Sequence, residues 1–145
     1  MRTLFVSLAL IAGLSLMGCK GGISSTAEYQ KATAGVASQL KKLDSVTGQV
    51  RTAGDPQRVN DALGKVVPAA KALQSTLNGL QIAEPNLSAT HGAFLAAVND
   101  HVAALDEVAA KAQGMPIPES KQIINDSAEA LAAAVDAWQT ELDAM

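Results

Sequence analysis

The sequence predicts an all-α protein that folds as an antiparallel up-down-up-down four-helix bundle. Four segments carry apolar residues at alternating steps of three and four, which places those residues on one stripe of a helix. Breaks rich in glycine and proline separate the segments, and the helices between them are of similar length. Alanine is abundant and aromatic residues make up only 3% of the chain, a balance that favours helices over strands.

The first two predicted helices span residues 26–52 and 55–80. Ser25 and Glu28 have the spacing of a capping box at the first helix. Asp55 and Pro56 supply an N-cap and a proline at the first helical position of the second. The two apolar stripes are Tyr29, Val36, Leu40, Leu43 and Val50, and then Val59, Leu63, Val66, Ala70, Leu73, Leu77 and Leu80.

Pro68 falls inside the second predicted helix. It removes a backbone hydrogen bond and crowds the turn occupied by Gly64. A tolerated bend is the interpretation that we favour, and a functional hinge is the alternative.

The third and fourth predicted helices span residues 87–113 and 118–144. Pro85 precedes the third helix, and a loop with prolines at 116 and 118 separates it from the fourth. Their apolar stripes are Leu87, His91, Phe94, Val98, His101, Leu105, Val108 and Ala112, and then Ile124, Ala128, Leu131, Val135, Trp138, Leu142 and Met145.

The first eighteen residues predict a cleaved secretory signal. Arg2 precedes an apolar run from Leu4 to Met17, and Gly18 then meets Cys19, the only cysteine of the chain. The run is shorter than the roughly 20 apolar residues of a stable span. We expect residues 1–18 to be a signal peptide, 19–25 a lipidated cysteine with a short tether, and 26–145 the bundle. A signal that leaves a free cysteine and an uncleaved anchor are the alternatives.

Leu16-Met17-Gly18-Cys19 resembles the lipobox of bacterial lipoproteins, with Met17 a less usual residue at its position. The resemblance implies cleavage after Gly18, a diacylglyceryl group on the Cys19 sulfur and acylation of the new N-terminus. The membrane is then a partner through Cys19, because two or three chains anchor a protein stably. Lys20 stands where an aspartate would favour the inner membrane, which implies the periplasmic face of the outer membrane.

The bundle is also similar in architecture to the small periplasmic b-type cytochromes. The stretch Gln57-Arg58-Val59-Asn60-Asp61-Ala62-Leu63 and the pair His91-Gly92 carry the resemblance. Those proteins hold haem between a methionine of the first helix and a histidine of the fourth. Here the first helix has no methionine and Gln139 stands at the histidine position, so the resemblance implies the architecture alone.

Charge excludes one class of partner and divides the chain in two. The net charge is −3, and removal of Arg2 makes the remaining chain more acidic, which argues against nucleic acid as a partner. The charged residues within 28–71 are mostly basic, and those within 100–143 are mostly acidic. Attraction between the two hairpins within one bundle is the interpretation that we favour, and a surface read by a partner, or self-association, is the alternative.

His91 and His101 are the candidate ligand-binding residues, and both fall on the third apolar stripe. Ten residues separate them, about 15 Å along a helix, which is too far to share a metal ion. We expect His91 to be half solvated, and His101 to be neutral and bonded to a carbonyl or to Thr47. The sequence offers no nucleophile with a base and no phosphate loop, so we predict no enzyme, no metal site and no cofactor.

The sequence therefore predicts a non-catalytic protein-interaction or structural module of the cell envelope, anchored by lipid and bound to an envelope protein. Met115 and Ile117, on the loop farthest from the membrane, are the candidate partner contacts, although a loop folded back over the bundle end is the simpler interpretation. The alternative function is a carrier of haem, a metal or a lipid held between the helices.

Overall fold

The computed structural model describes residues 21–112 and 114–145, and this part of the chain is all-helical, with five helices and no strand. The predicted signal peptide, Cys19 and Lys20 lie outside the described residues. The helices are α1 (Thr26–Ala32), α2 (Val36–Thr52), α3 (Pro56–Asn78), α4 (Pro85–Lys111) and α5 (Ile117–Ala144).

The single helix predicted over residues 26–52 is divided into α1 and α2 by a turn at residues 33–35. The Thr33 backbone N–H and its hydroxyl both donate to the Tyr29 carbonyl, each at 2.9 Å. The Val36 N–H then donates to the Thr33 carbonyl at 2.9 Å, a tighter spacing than that of an α-helix. Prediction of one continuous helix was wrong here because a threonine hydroxyl that bonds to the backbone competes with helical pairing.

Side-chain caps mark the starts of α1, α3 and α4. The Ser25 hydroxyl accepts from the Glu28 N–H at 3.2 Å, as the capping box predicts, while the Glu28 carboxylate bonds to Ser24 instead of the Ser25 N–H. Asp55 caps α3 by accepting from the Arg58 N–H at 2.9 Å. Helix α4 begins two residues earlier than predicted, because Pro85 occupies a first-turn position where its missing N–H costs nothing.

Helix α3 runs through Pro68 without interruption. Pro68 has no N–H to donate, so the Gly64 carbonyl one turn earlier loses its usual helical partner. Both residues are exposed, and water can therefore solvate that carbonyl.

Most positions of the predicted apolar stripes form one buried core, but Met145 was wrongly included, since it is 51% exposed at the end of α5. Helix pairs α2–α3, α3–α4, α4–α5 and α2–α5 are in contact, so the packing closes on itself. Burying a leucine- or valine-sized side chain contributes about 1.5–3 kcal/mol, and this core is the main source of stability. Its largest fully buried side chains are Tyr29, Phe94, Leu73, Leu77, Leu87, Leu105, Ile124, His101, Val36, Val50, Val66 and Val98.

An extended segment, residues 21–24, lies across the loop that joins α3 to α4, and we call this segment the N-terminal strap. Ile23 pairs with Ile82 in an isolated parallel bridge. Both isoleucines are partly buried and pack against the core. The strap thus closes the end of the molecule at which α3 ends and α4 begins.

Within the described ranges, no helix combines the length and apolar character that crossing a bilayer requires.

Candidate functional site

The first candidate, His91, lies near the start of α4 and uses both ring nitrogens. Its Nδ1 lies 2.9 Å from the Tyr29 hydroxyl, and its Nε2 lies 3.0 Å from the Leu77 carbonyl oxygen. The expected half-solvated position is wrong, since His91 is only 6% exposed. Tyr29 of α1 covers one edge of its ring, and the end of α3 covers the other.

The directions of these hydrogen bonds follow from the chemistry of the groups. A carbonyl only accepts, so His91 Nε2 carries the proton and donates to Leu77. Nδ1 must then accept from the Tyr29 hydroxyl. The Tyr29 oxygen in turn accepts from the Trp138 indole N–H at 3.0 Å. This chain of Trp138, Tyr29, His91 and the Leu77 carbonyl, which we call the His91 network, leaves no ring nitrogen free for a ligand.

Aromatic packing holds the His91 network in place. Trp138 stacks on Phe94 with ring centroids 4.7 Å apart and an interplanar angle of 22°. Tyr29 meets Trp138 edge-on at 6.3 Å and meets His91 edge-on at 5.7 Å. Such pairs stabilise a fold by about 0.5–1.5 kcal/mol beyond the burial of their area.

The electrostatics of this end favour neutral groups. Burial lowers the pKa of His91, an effect opposed by the hydrogen bond to the Leu77 carbonyl. Burial likewise raises the pKa of Tyr29, although the hydrogen bond from Trp138 opposes the shift. Because both groups are neutral at pH 7, the His91 network is a set of neutral hydrogen bonds.

The second candidate, His101, lies about three turns after His91 on α4 and is only 1% exposed. Its Nδ1 lies 2.9 Å from the Ser127 hydroxyl, which donates its own proton to the Ile124 carbonyl at 3.0 Å. Nδ1 therefore carries the ring proton and donates to Ser127. The expected bond to a carbonyl or to Thr47 is wrong. The ring bonds to a serine hydroxyl instead, and the Thr47 hydroxyl donates to the Leu43 carbonyl at 2.7 Å.

His101 Nε2 is consequently a buried acceptor, and no group in the described part of the chain donates to it. Burial lowers the pKa of His101 to about 4, so the ring is neutral at physiological pH. Nε2 is the only ring nitrogen of the two candidates that a ligand could engage. Across residues 21–112 and 114–145, no three side chains of His, Cys, Asp or Glu converge to hold a metal ion.

Surface grooves in the described part of the chain include one beside Pro68 and one beside Met115. One of about 460 Å³ lies between α2 and α3 beside Pro68, and its lining includes Lys42 and Lys65. The other, of about 440 Å³, is open to solvent at the turn between α4 and α5 and includes Met115. Met115 and Ile117 are both half-buried and pack against the core, so the loop that carries them folds towards the bundle.

Ion pairs link the basic and acidic hairpins only sparsely. In the described part of the chain, a single salt bridge joins them, between Lys71 and Asp106 at 2.9 Å. The other two ion pairs lie within one helix or its cap. Attraction between the hairpins therefore accounts for few of their charges.

Five of the six carboxylates of α5 form one exposed row, and the sixth, Glu141, accepts a hydrogen bond from Thr90 instead. At 100° per residue they lie opposite the buried stripe of the same helix, and they extend over about 36 Å. We call this row the α5 acidic face. Its members are Glu119, Asp126, Glu129, Asp136 and Asp143.

Comparisons with protein-family models, with curated proteins and with solved structures found no significant match to this chain.

Sequence reasoning placed both histidines on the buried face but missed the groups that they contact. Tyr29 and Trp138 are the only tyrosine and the only tryptophan of the chain, and both stand on predicted core positions. Buried tyrosines and tryptophans usually find hydrogen-bond partners, and this was the available signal.

Proposed function

We propose that the chain is an exported lipoprotein, anchored through Cys19 at the periplasmic face of the outer membrane, whose helical domain acts by contact with an envelope protein. The lipobox-like sequence and Lys20 support the anchor and its location. The domain is an antiparallel up-down-up-down four-helix bundle in which α1 and α2 together form the first arm.

Contacts between helices support the antiparallel arrangement. In each pair of neighbouring helices, a residue nearer the start of one helix contacts a residue nearer the end of the other. The pairs are Gln39–Thr76 and Gln49–Lys65 for α2–α3, Leu77–His91 and Lys71–Asp106 for α3–α4, Thr90–Glu141 and His101–Ser127 for α4–α5, and Tyr29–Trp138 and Arg51–Asn125 for the first arm and α5.

The observation that carries the contact function is the α5 acidic face. Its carboxylates are exposed and form no ion pair within the described ranges. A row of like charges held on a rigid helix favours a basic partner surface and speeds encounter with it. Residues 28–71 carry seven of the chain's eleven basic side chains, so a second copy of the chain is a competing partner.

The experiment compares two double variants in cells after chemical crosslinking. Asp126→Asn with Glu129→Gln removes two charges from the α5 acidic face, and Asp44→Asn with Asp61→Asn removes two from the basic hairpin. We expect the first variant to lose the crosslinked product and the second to keep it. Equal loss would assign the effect to net charge, and no loss from the first variant would remove the α5 acidic face from the contact.

Anchoring has its own test. We expect labelled fatty acid to appear in the full-length protein and to be absent from Cys19→Ala, which should be released from membranes. A Cys19→Ala protein that stays in the membrane fraction would point to an uncleaved apolar anchor instead.

A second candidate function, carriage of a small ligand, is favoured by one observation, the free lone pair of His101 Nε2. Native mass spectrometry of gently purified protein tests it. Excess mass that is lost on denaturation and absent from His101→Leu would support a carrier. A bare chain mass in the wild-type protein would exclude a tightly held ligand.

A further inference from the structure

Backbone hydrogen bonds hold the N-terminal strap to the loop between α3 and α4, in addition to the bonds from Ser24 to Glu28 of α1. The Ile23 N–H donates to the Gln81 carbonyl at 2.7 Å, and the Ala83 N–H donates to the Ile23 carbonyl at 2.8 Å. The Glu84 N–H reaches the same Ile23 carbonyl at 3.3 Å. Together with the partly buried Ile23 side chain, these bonds fix the strap to the loop between α3 and α4.

Gly22 allows this close approach. A Cβ atom at position 22 would lie 2.7 Å from the Gln81 carbonyl oxygen and 3.0 Å from its carbon, closer than real contacts permit. Both atoms belong to the backbone and cannot turn away. A Cβ atom at Gly21, one residue earlier, would meet nothing within 4 Å. The two adjacent glycines therefore differ in what a larger side chain would do.

The strap shortens the path between the proposed anchor and the folded domain. Ile23 lies four positions after Cys19, a reach of at most about 14 Å. If the chain became fixed only where α1 begins, at Thr26, the reach would extend to about 25 Å. A tether of about 25 Å lets the domain tilt freely. A tether of about 14 Å holds one particular end of the domain close to the lipid.

Charge at this end does not provide the attachment. Glu28 and Glu84 are acidic and lie beside the strap, and Asp143 lies in the last turn of α5. Acidic groups are repelled by an anionic lipid surface. The backbone bonds of the strap supply an attachment that does not depend on these acidic groups.

We infer that the N-terminal strap is a rigid mount that holds the end of the bundle formed by loop 79–84 against the lipid headgroups, so that the turns at residues 53–55 and 114–116 project away from the membrane. This inference rests on the proposed lipid anchor at Cys19. The partner of this end is the bilayer surface, and the far end, about 40 Å away, is left free for protein contacts.

The experiment measures the distance of each end from lipid headgroups. The mature lipoprotein is reconstituted in vesicles of phosphatidylethanolamine and phosphatidylglycerol that contain a headgroup-bound quencher. A fluorophore is attached at Ser88→Cys, beside loop 79–84, or at Gln57→Cys, at the opposite end, since the Cys19 thiol is acylated. We expect strong quenching at position 88 and weak quenching at position 57.

Gly22→Val should displace the strap and remove most of this contrast, while Gly21→Val should preserve it. Amide hydrogen exchange reports the strap directly, because protection of the Ile23 and Ala83 amides should be lost in Gly22→Val alone. Ile23→Pro removes the backbone N–H that donates to the Gln81 carbonyl. It should therefore also remove the difference in quenching between positions 88 and 57.

The outcomes separate the two proposals. A Cys19 peptide without lipid, or protein that does not float with the vesicles, would refute the anchor. If the protein is lipidated and bound to vesicles, and both Gly22→Val and Ile23→Pro keep the quenching difference between positions 88 and 57, the mount is refuted and the anchor stands. Loss of contrast in both, with Gly21→Val unchanged, would establish it.

Discussion

The two histidines of α4 lie on the same buried face, yet their surroundings differ in one decisive respect. Both nitrogens of His91 have partners, and the Tyr29 hydroxyl satisfies both His91 and Trp138. His101 has a partner at Nδ1 only. Removing a satisfied hydrogen bond leaves its buried partner unpaired at a cost of about 1–3 kcal/mol, whereas removing an already unpaired group costs little. The comparison teaches that burial alone does not decide whether a polar residue stabilises the core.

The largest expected effect concerns the His91 network. Tyr29→Phe leaves His91 Nδ1 and the Trp138 indole N–H without partners, and we expect it to lower the free energy of unfolding by about 2–4 kcal/mol. Urea unfolding monitored by the fluorescence of Trp138, the only tryptophan, measures the change. Thr47→Val is the matched control, because its hydroxyl bonds only to a carbonyl of its own helix. Equal losses from the two variants would contradict a satisfied network.

The next effect is the pH dependence caused by His101. Its pKa is about 4 in the folded protein against 6.5 for an ordinary histidine, so the unfolded chain binds the proton first as the pH falls. Stability from this group is therefore complete above about pH 6.5 and is lost progressively towards pH 4, by at most about 3 kcal/mol.

His101→Leu isolates that contribution. At pH 7 we expect its free energy of unfolding to lie within about 1 kcal/mol of the wild type, because the unpaired Nε2 is removed with the ring. Between pH 6.5 and 4 the wild-type protein should lose more stability than the variant. Parallel pH profiles, measured by urea unfolding at each pH, would show that His101 does not titrate as its burial requires.

The smallest effect concerns Ser127. Ser127→Ala removes the acceptor of His101 Nδ1, and we expect a loss of about 1–2 kcal/mol. In a His101→Leu background the same change should cost less, since no ring N–H remains to be left unpaired. A double-mutant cycle measures this coupling, and a coupling energy of zero would disprove the interaction.

The sequence predicted those features that depend on a regular pattern along the chain. The stripe positions Val36, Leu73 and Leu105 are all buried, and Asp55 caps its helix. Helical spacing and capping are local properties, so they can be read without knowing what lies across the core.

Features that join distant parts of the chain were missed. Neither the meeting of Tyr29 with Trp138 nor the choice of Ser127 over Thr47 as the partner of His101 follows from spacing within one helix. The strap is harder still to predict, because backbone pairing between Ile23 and the loop at Gln81 requires no particular side-chain pattern. The turn at residues 33–35 was missed because the hydroxyl of Thr33 competes with a helix that the apolar stripe favours.

That turn makes α1 a separate cooperative unit. A helix of seven residues is far below the roughly 12–15 that persist in isolation, and Tyr29 is the only buried residue that α1 contributes. Opening of α1 breaks the hydrogen bonds of Tyr29 to His91 and Trp138 but leaves the backbone hydrogen bonds of α2 to α5 in place, so it costs less than global unfolding. Helix α1 is therefore where exchange with solvent begins among the helices, and its departure uncovers Trp138 and His91 first.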